Sequence, residues 1–328
     1  VKIFTGSSHP DLAALILDRL GCPAAPAVTK RFSNAETAVE IGVSVRDEDV
    51  YLIQSGSMHI NDHLMELLIM INACKIASAK RITAVVPYFP YNKQSKKKKA
   101  RGAITAKLVA NMLATAGVDH VITMDLHSTQ VQGFFKTTID NLVAEPCIAQ
   151  YIKANYPNYQ DSVVISKNAG GVKRVTALAD KLQTDFALIH RERYHIHQSS
   201  KGTAVLDDEG RENRLTLVGD VNGRDCFVLD DIIDGTHSFL DAAEHLKRCK
   251  ASTVRIIATH GILSGNAMQE IDDCEAVDEV IVTNTYPLAS KQKASKKLRV
   301  IDISGVLAEA IRRNHNGESI SYLFHTAI

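Results

Sequence analysis

The segment 226–238 carries the densest group of side chains that could do chemistry. An apolar, strand-like run at 226–229 leads directly into Asp230 and Asp231, and Asp234 follows three residues later. Carboxylates at the carboxyl end of a strand can accept hydrogen bonds from ribose hydroxyls or hold Mg²⁺ through water. Because burying two acids without a partner is costly, we interpret them as functional rather than as surface acids beside a helix cap.

The turn after these acids has the composition of an anion site. A helix is predicted to start near Phe239. Backbone N–H groups and hydroxyls at a helix N-terminus suit a sugar phosphate. The turn residues are Asp234, Gly235, Thr236, His237 and Ser238.

Two other segments place polar residues between a strand and a helix. The run 163–166 leads into Lys167, Asn168 and two glycines that permit close backbone approach to a ligand, although this pattern alone is weak. Asp125 and His127 lie two apart, so they share one face if their segment is extended. A metal site is one interpretation of this pair and a structural histidine is the other.

A lysine-rich loop, 92–102, lies between a predicted strand and the predicted helix 103–116. Such a run is often a solvated face or a nucleic-acid patch, but here it could close over an anionic substrate such as a triphosphate. The aromatic residues precede the charges rather than alternating with them, which argues against nucleic acid. Its basic residues are Lys93, Lys96, Lys97, Lys98, Lys99 and Arg101.

Composition limits the class of protein. The 328 residues suggest two domains, and a net charge of +1 gives no support to nucleic-acid or membrane binding. The six cysteines form no CxxC pair, so we expect reduced thiols and a cytoplasmic location. The first residues read as a strand, and we expect no secretory signal. Neither a P-loop nor a GxGxxG motif occurs.

Short β-branched runs alternate with helical patterns, which predicts an α/β fold with mostly parallel sheets. Asn61 or Asp62 is the expected cap of a helix through Leu64–Ile71. Strands are predicted at 50–54, 82–87, 119–125, 162–166, 185–190, 226–230, 253–258, 278–283 and 298–302.

The chain shows a faint internal repeat. Residues 80–85 resemble 252–257, and 118–122 resemble 277–281. We infer two related half-domains, with convergent strand chemistry as the alternative. The expected boundary gives domains 1–146 and 147–328, the last helix packing back on the first domain. The polar stretch 197–213 reads as an exposed hairpin or flap.

Six segments, 4–9, 31–37, 65–71, 124–127, 132–135 and 315–324, carry a resemblance to a known family. Together they resemble the ribose-phosphate pyrophosphokinase (phosphoribosyl-diphosphate synthase) family nearly end to end. The resemblance implies two phosphoribosyltransferase type I-like domains, each a mostly parallel sheet flanked by helices. It also implies Mg²⁺ and the conversion of ATP and ribose 5-phosphate to AMP and phosphoribosyl diphosphate, in dimers that assemble into hexamers.

The resemblance also implies roles for individual residues. Those expected to bind ATP, the first three by reaching into a neighbouring subunit, are Phe32, Asn34, Glu36, Lys93, Gln94 and Arg101. Those expected to bind ribose 5-phosphate are Asp230, Asp231, Asp234, Gly235, Thr236 and Ser238. The catalytic set is His127, Arg191 and Arg193, with His127 and Asn168 as the metal set. The regulatory set is Ser44, Arg46, Ser319, Ser321 and Phe324.

Three positions and one short segment depart from the family pattern. The family usually carries Arg at Lys93, Asp at Asn168, Lys at Arg191, and Asp-Thr-x-Gly-Thr at 234–238. A lysine lacks the planar fork that grips phosphate, and Asn168 removes a charge that could organise Mg²⁺. The departures resemble those of non-catalytic, synthase-associated subunits. Two hypotheses therefore stay open, a working subunit of a homo-oligomer or a regulatory and structural subunit in a hetero-oligomer with catalytic paralogues.

Overall fold

The computed structural model describes residues 1–97, 99–194 and 212–328. Within these ranges the strands are β1 (Lys2–Thr5), β2 (Ala27–Arg31), β3 (Thr37–Ile41), β4 (Asp49–Ile53), β5 (Arg81–Val86), β6 (His120–Met124), β7 (Thr138–Leu142), β8 (Val163–Ser166), β9 (Asp185–Tyr194), β10 (Glu212–Val218), β11 (Asp225–Ile233), β12 (Thr253–Gly261), β13 (Glu279–Thr283) and β14 (Leu298–Ile301).

The α-helices of the same ranges are α1 (Pro10–Leu20), α2 (Ile60–Ile76), α3 (Thr105–Ala116), α4 (Glu145–Asn155), α5 (Val172–Leu182), α6 (His237–Arg248), α7 (Ala267–Asp273), α8 (Ala289–Ala294) and α9 (Ser304–Asn316). Short 3₁₀ helices lie at Thr129–Phe134, Tyr159–Asp161, Ala169–Gly171 and Ser321–Phe324.

The first sheet has the order β1-β4-β5-β6-β7, and its neighbouring strands pair in parallel. Both of its faces are covered by helices, which explains why its central strands are apolar on both faces. Leu52 packs with Leu67 of α2 on one face, whereas Tyr51 packs with Ile16 of α1 on the other. The β2–β3 hairpin stands outside this sheet.

The second sheet has the order β10-β9-β8-β11-β12-β13-β14, with β10 antiparallel at its edge. One face packs on α6 and α7. The other face joins the first half of the chain in a shared core that contains Phe227, Leu12 of α1 and Leu307 of α9. Arg19 of α1 also pairs with Asp302 at 2.8 Å, next to the start of α9. The last long helix therefore packs against the first helix.

The internal repeat has a geometric counterpart. The N–H of Ile82, at the start of β5, donates to Asp119 at 2.8 Å, and the N–H of Asp119 donates back to the carbonyl of Ile82. Val254, at the start of β12, makes the same reciprocal pair with Asp278 at 2.7 Å. Asp119 and Asp278 thus make the same pair of hydrogen bonds at the starts of two corresponding strands, as expected for related half-domains.

Sequence patterns located most of these elements. Each predicted strand is present, with β9, β11 and β12 extending three or four residues further than expected. The strands without a prediction, β2, β3, β7 and β10, are hairpin or edge elements. Neither Asn61 nor Asp62 caps α2, which begins at Ile60. Asp62 instead pairs with Arg31 at 2.8 Å. Most of the expected flap, 197–211, lies outside the described residues.

Across the described parts of the chain, no helix combines the length and the apolar character that crossing a membrane requires.

Candidate functional site

A cleft of about 730 Å³ opens where the carboxyl ends of the two sheets face each other. His127, just after β6, and Asp231, near the end of β11, line it from opposite halves of the chain. Ser238, in the first turn of α6, and Lys167, just after β8, complete its polar floor. Side chains from both halves therefore converge where α/β sheets usually bind ligands.

Asp231 is the most buried acid of the cleft, with 5% of its side chain exposed. Its Oδ2 lies 2.6 Å from Nδ1 of His127, and its Oδ1 lies 3.5 Å from the guanidinium of Arg174. Although burial raises the pKa of Asp231, the hydrogen bond with His127 and the charge of Arg174 outweigh it and hold that pKa well below its usual range. Asp231 is therefore ionised and oriented at neutral pH.

Asp230 lies beside it with different partners. Its Oδ2 is 3.0 Å from the ammonium of Lys167, and its Oδ1 is 3.4 Å from Arg174. Burial raises the pKa of Asp230, and the charge of neighbouring Asp231 acts in the same direction, while Lys167 opposes both. The cations therefore outweigh desolvation at Asp231 but offset only part of it at Asp230, whose pKa stays above its usual value.

The turn after the acids leads directly into a helix, as predicted, although α6 begins at His237, two residues earlier than expected. Ser238 lines the cleft and accepts a hydrogen bond from Lys167 at 3.3 Å. The hydroxyl of buried Thr236 instead donates to Glu270. His237 is exposed and does not line the cleft.

Asp234 is engaged by the lysine-rich loop. Its carboxylate lies 3.5 Å from the ammonium of Lys93 and accepts the N–H of Ser264 at 3.4 Å. Burial raises the pKa of Asp234, but Ser264 and Lys93 together hold that pKa below its usual value. Lys93 and Lys96 both line the cleft, which places ammonium groups at its rim.

The segment from Asp125 to His127 is not extended, so the shared face expected of these two residues is not formed. Asp125 adopts a φ of 41°, so the chain turns out of the extended conformation directly after β6. Its carboxylate accepts the N–H of Ala144 at 3.1 Å and the hydroxyl of Thr259 at 2.5 Å. Asp125 therefore ties the two halves together, and His127 turns to Asp231.

The residues present do not fit a ready-made magnesium site. Asn168 belongs to the metal set that the resemblance implies, but its Oδ1 accepts the N–H of Gly171 at 3.0 Å and caps a short 3₁₀ helix. Both oxygens of Asp230 and both of Asp231 already face cations or donors of the chain itself. No cluster of three or more His, Cys, Asp or Glu side chains suited to a metal occurs within the described ranges.

The residues expected to bind ATP lie in different parts of the structure, and only Lys93 of this set lines the cleft. Gln94 is exposed, and its side chain accepts the hydroxyl of Thr105 at the start of α3. Arg101 is exposed on the same loop, outside the cleft lining. The 32–36 turn joins β2 to β3 and also lies outside that lining, with 53% of Phe32 exposed. In this turn Asn34 accepts the N–H of Glu36 at 3.2 Å.

The two arginines of the catalytic set lie on β9. Arg191 pairs with Asp241 of α6 at 2.9 Å and does not line the cleft. Arg193 pairs through its backbone with Asn213, and its side chain lies outside the described residues.

The regulatory set lies on the surface near one half-buried acid, Asp49. Ser44 and Arg46 are exposed on the loop that leads into β4. Asp49, the first residue of β4, accepts a hydrogen bond from His315 at 2.7 Å, four residues before Ser319. Ser319 in turn donates to Ser321 at 3.0 Å, and Phe324 is half-buried in the 3₁₀ helix that follows. The two segments thus flank the same end of the first sheet.

Sequence reasoning missed two members of the site. Arg174, in the first turn of α5, contacts both acids of the pair. Asn92 is fully buried, and its Oδ1 accepts the N–H of His127 at 3.0 Å. A basic residue one turn after a glycine pair was a usable signal for Arg174, whereas nothing in the sequence distinguished Asn92 from the rest of the loop.

Together, the two mostly parallel sheets flanked by helices and the acid-lined cleft between them define an α/β protein with a ligand site shared by its two halves. Two family models match the chain: the N-terminal domain of ribose phosphate pyrophosphokinase at residues 1–117, and the phosphoribosyl synthetase-associated domain at residues 204–325. A crystal structure of phosphoribosylpyrophosphate synthetase from Mycobacterium smegmatis is 37% identical, with 96% of this chain and 99% of that chain covered and a TM-score of 0.86. The chain belongs to the ribose-phosphate pyrophosphokinase family.

More distant solved structures share only part of the chain. An adenine phosphoribosyltransferase from Trypanosoma brucei is 15% identical over 48% of this chain and 64% of its own, with a TM-score of 0.32. A purine phosphoribosyltransferase from Pyrococcus horikoshii is 14% identical over 49% and 81%, with a TM-score of 0.29. These matches add nothing to the family assignment.

Proposed function

We propose that the chain is a subunit of ribose-phosphate pyrophosphokinase, which transfers the β,γ-diphosphoryl group of ATP to the C1 hydroxyl of ribose 5-phosphate. The products are phosphoribosyl diphosphate and AMP. The observation that carries the proposal is the convergence of His127, Asp231 and Ser238 on one cleft between the two halves of the chain. Acids that suit sugar hydroxyls lie directly beside a helix N-terminus that suits a phosphate.

In this proposal the ribose hydroxyls hydrogen-bond to Asp230 and Asp231, and the 5-phosphate lies at the first turn of α6 beside Ser238. The C1 hydroxyl oxygen attacks the β-phosphorus in line and loses its proton to solvent. The bond from that phosphorus to the oxygen that bridges the α- and β-phosphates breaks, and AMP leaves with this oxygen. Little covalent chemistry falls to the protein, so rate comes from positioning and from cations around the phosphates. Lys93 and Lys96 at the rim suit that role.

Magnesium enters this scheme as the counter-ion of ATP and therefore as part of the substrate. When bound, it neutralises charge on the β- and γ-phosphates. The cleft residues supply the sugar side of the site. We propose no magnesium ligand on that side, because Asp230, Asp231 and Asn168 are already engaged by the chain's own groups.

The 32–36 turn supports an oligomeric enzyme. Phe32 is largely exposed and lies outside the cleft of its own chain. We propose that it contacts the adenine in the cleft of a neighbouring subunit, within a homo-oligomer or a hetero-oligomer. We also propose that 44–46 and 319–324 form a regulatory site. Both assignments, together with a cytoplasmic location and domain limits at 146 and 147, remain predictions.

A second candidate is a non-catalytic subunit that supports a catalytic paralogue. The specific observation in its favour is Arg191, which pairs with Asp241 outside the cleft. Asn168, which caps a turn where the family usually carries an acid, points the same way.

One assay separates the two functions. The purified chain is given Mg-ATP and ribose 5-phosphate, and AMP formation is measured, with His127→Ala as the negative control. Turnover by the wild type that disappears in His127→Ala supports the first function. No turnover alone, with altered rates when a catalytic paralogue is added, supports the second. No effect in either setting would contradict both.

A further inference from the structure

We infer that the ammonium of Lys167 takes the place of a divalent cation at the sugar acids, so that ribose 5-phosphate binds this chain without Mg²⁺. The inference rests on the proposed function, because it concerns how the same cleft holds the sugar. It assigns Lys167 as a substrate-positioning residue, a role that the sequence motifs alone did not suggest.

Strand register brings Lys167 to the acid. Ser166, the last residue of β8, pairs with Leu229 of β11, so the next residues along the two parallel strands are Lys167 and Asp230. Their side chains meet at 3.0 Å at the floor of the cleft. Because the register is fixed by both sheet hydrogen bonds and apolar packing, this proximity follows from the fold.

Three different contacts hold the ammonium in one place. It lies 3.0 Å from Oδ2 of Asp230, 3.3 Å from the hydroxyl of Ser238 and 4.3 Å from the ring centroid of Phe239. Only 14% of the Lys167 side chain and 13% of the Asp230 side chain are exposed. A largely buried ion pair with additional polar and aromatic contacts differs from a solvated surface pair, which contributes little.

The ammonium of Lys167 lies against Oδ2 of Asp230, an atom that a divalent cation bound to this acid would contact. It spans the space between an acid expected to take sugar hydroxyls and the helix turn expected to take the phosphate. A metal at Asp230 would have to displace either Lys167 from Oδ2 or Arg174 from Oδ1. Magnesium also dehydrates reluctantly and favours carboxylates, and the adjacent residue here is an amide, Asn168.

Each of the three acids of the 230–234 segment already has a cationic partner. Lys167 lies against Asp230, Arg174 against Asp231, and Lys93 against Asp234. The acids are therefore neutralised without a bound metal. A neutral sugar face can then approach, and the lysine remains close enough to attract the 5-phosphate.

The test measures ribose 5-phosphate binding by calorimetry without ATP, once in Mg²⁺ and once in chelator. We expect the wild type to bind equally well in both. Lys167→Met should bind about tenfold more weakly or worse in chelator, since a hydrogen-bonded charge is lost. The double variant Lys167→Met with Asn168→Asp should bind only when Mg²⁺ is present.

Two controls accompany these variants. Lys247→Met removes a lysine whose ammonium lies 3.1 Å from Asp278, far along α6 from the cleft, and should change neither affinity nor magnesium dependence. Lys167→Arg keeps the charge and should keep magnesium-independent binding. Circular dichroism checks that each variant is folded, and the wild-type comparison stands by itself if Lys167→Met does not fold.

Several results would overturn the inference. One is wild-type binding that requires Mg²⁺. Another is unchanged ribose 5-phosphate affinity of Lys167→Met in chelator. A third is tighter binding by that variant, which would show that Lys167 obstructs the sugar site. Magnesium-dependent binding by the wild type refutes this inference but leaves the proposed function in place. Absence of ribose 5-phosphate binding by the wild type in either condition refutes both.

Discussion

Nδ1 of His127 and Oδ2 of Asp231 lie 2.6 Å apart, although 104 positions separate the two residues in the chain. His127 follows the fourth strand of the first sheet, and Asp231 lies on the central strand of the second. This hydrogen bond therefore forms only when the two halves of the chain are correctly positioned around the cleft. Its loss should affect activity more than stability, because 41% of the His127 side chain is exposed.

We expect His127→Ala to lower kcat/KM for ribose 5-phosphate and Mg-ATP by about 10²-fold or more, since a polar group positioned in the cleft is lost. The measurement is steady-state AMP formation. His120→Ala is the matched control, because His120 makes an equally short bond of 2.6 Å with Asp140 away from the cleft. Equal losses in both variants would show that His127 acts through stability alone.

Lys93 should contribute to ATP binding and turnover rather than to the stability of the protein. With 42% of Lys93 and 33% of Asp234 exposed, their ion pair contributes less than about 1 kcal/mol to stability. Lys93→Met should therefore leave Tm nearly unchanged and lower kcat/KM for ATP by about tenfold or more. Lys93→Arg should retain or raise activity, since a guanidinium grips phosphate with two hydrogen bonds.

Lys107→Met, on the exposed face of α3, is the control for loss of one positive charge. A fall in kcat/KM as large as that of Lys93→Met would indicate a general electrostatic effect of the loop region. A large drop in Tm for Lys93→Met would contradict the assignment to substrate binding.

His9 should make stability depend on pH. Its Nδ1 accepts the N–H of Leu12 at the start of α1, and its Nε2 lies 2.8 Å from the carbonyl of Asn284 in the other half. Burial lowers the pKa of His9 below 6.5, so the unfolded chain takes up the proton first as pH falls. The stability from neutral His9 is therefore present above pH 6.5 and is lost as pH falls towards the folded pKa.

His9→Asn keeps a capping acceptor but removes the titration, and His9→Ala should cost about 1 kcal/mol at neutral pH. Urea unfolding between about pH 7.5 and about pH 5 measures both. The advantage of the wild type over His9→Asn should shrink as pH falls. A difference that stays constant or grows would show that His9 does not titrate in this way.

Substitution of Leu307 tests whether α9 contributes to the stability of both halves of the chain. It is fully buried in the core that also contains Leu12 of α1 and Phe227 of β11. Leu307→Ala should lower the free energy of unfolding by about 3 kcal/mol, because it leaves a cavity in a packed core. Unfolding followed by circular dichroism should remain one transition, since the two halves share this core.

Leu108→Ala provides the comparison, since 56% of Leu108 is exposed on α3 and the change should stay within about 0.5 kcal/mol. Two separated transitions in Leu307→Ala would indicate that the halves unfold independently. That result would favour a domain boundary that assigns α9 to the second half alone.

The sequence by itself determined the local units of the site. An apolar strand, a pair of acids and a turn of small residues at a helix start are local in the chain, and the structure has Asp230, Asp231 and Ser238 in those places. The strand periodicity and the two equivalent acids, Asp119 and Asp278, also reflect local patterns. These features were predictable because period-2 patterning and helix starts depend on neighbouring residues.

Only the tertiary structure decided which cation lies against which acid. Lys167 reaches Asp230 through the register of β8 and β11, and His127 reaches Asp231 only because Asp125 turns the chain with a φ of 41°. The sequence placed Asp125 and His127 on one face, since an extended segment was the natural assumption. Partners distant in the chain depend on how two sheets pack, and ångström-scale distances between their ends follow from that packing alone.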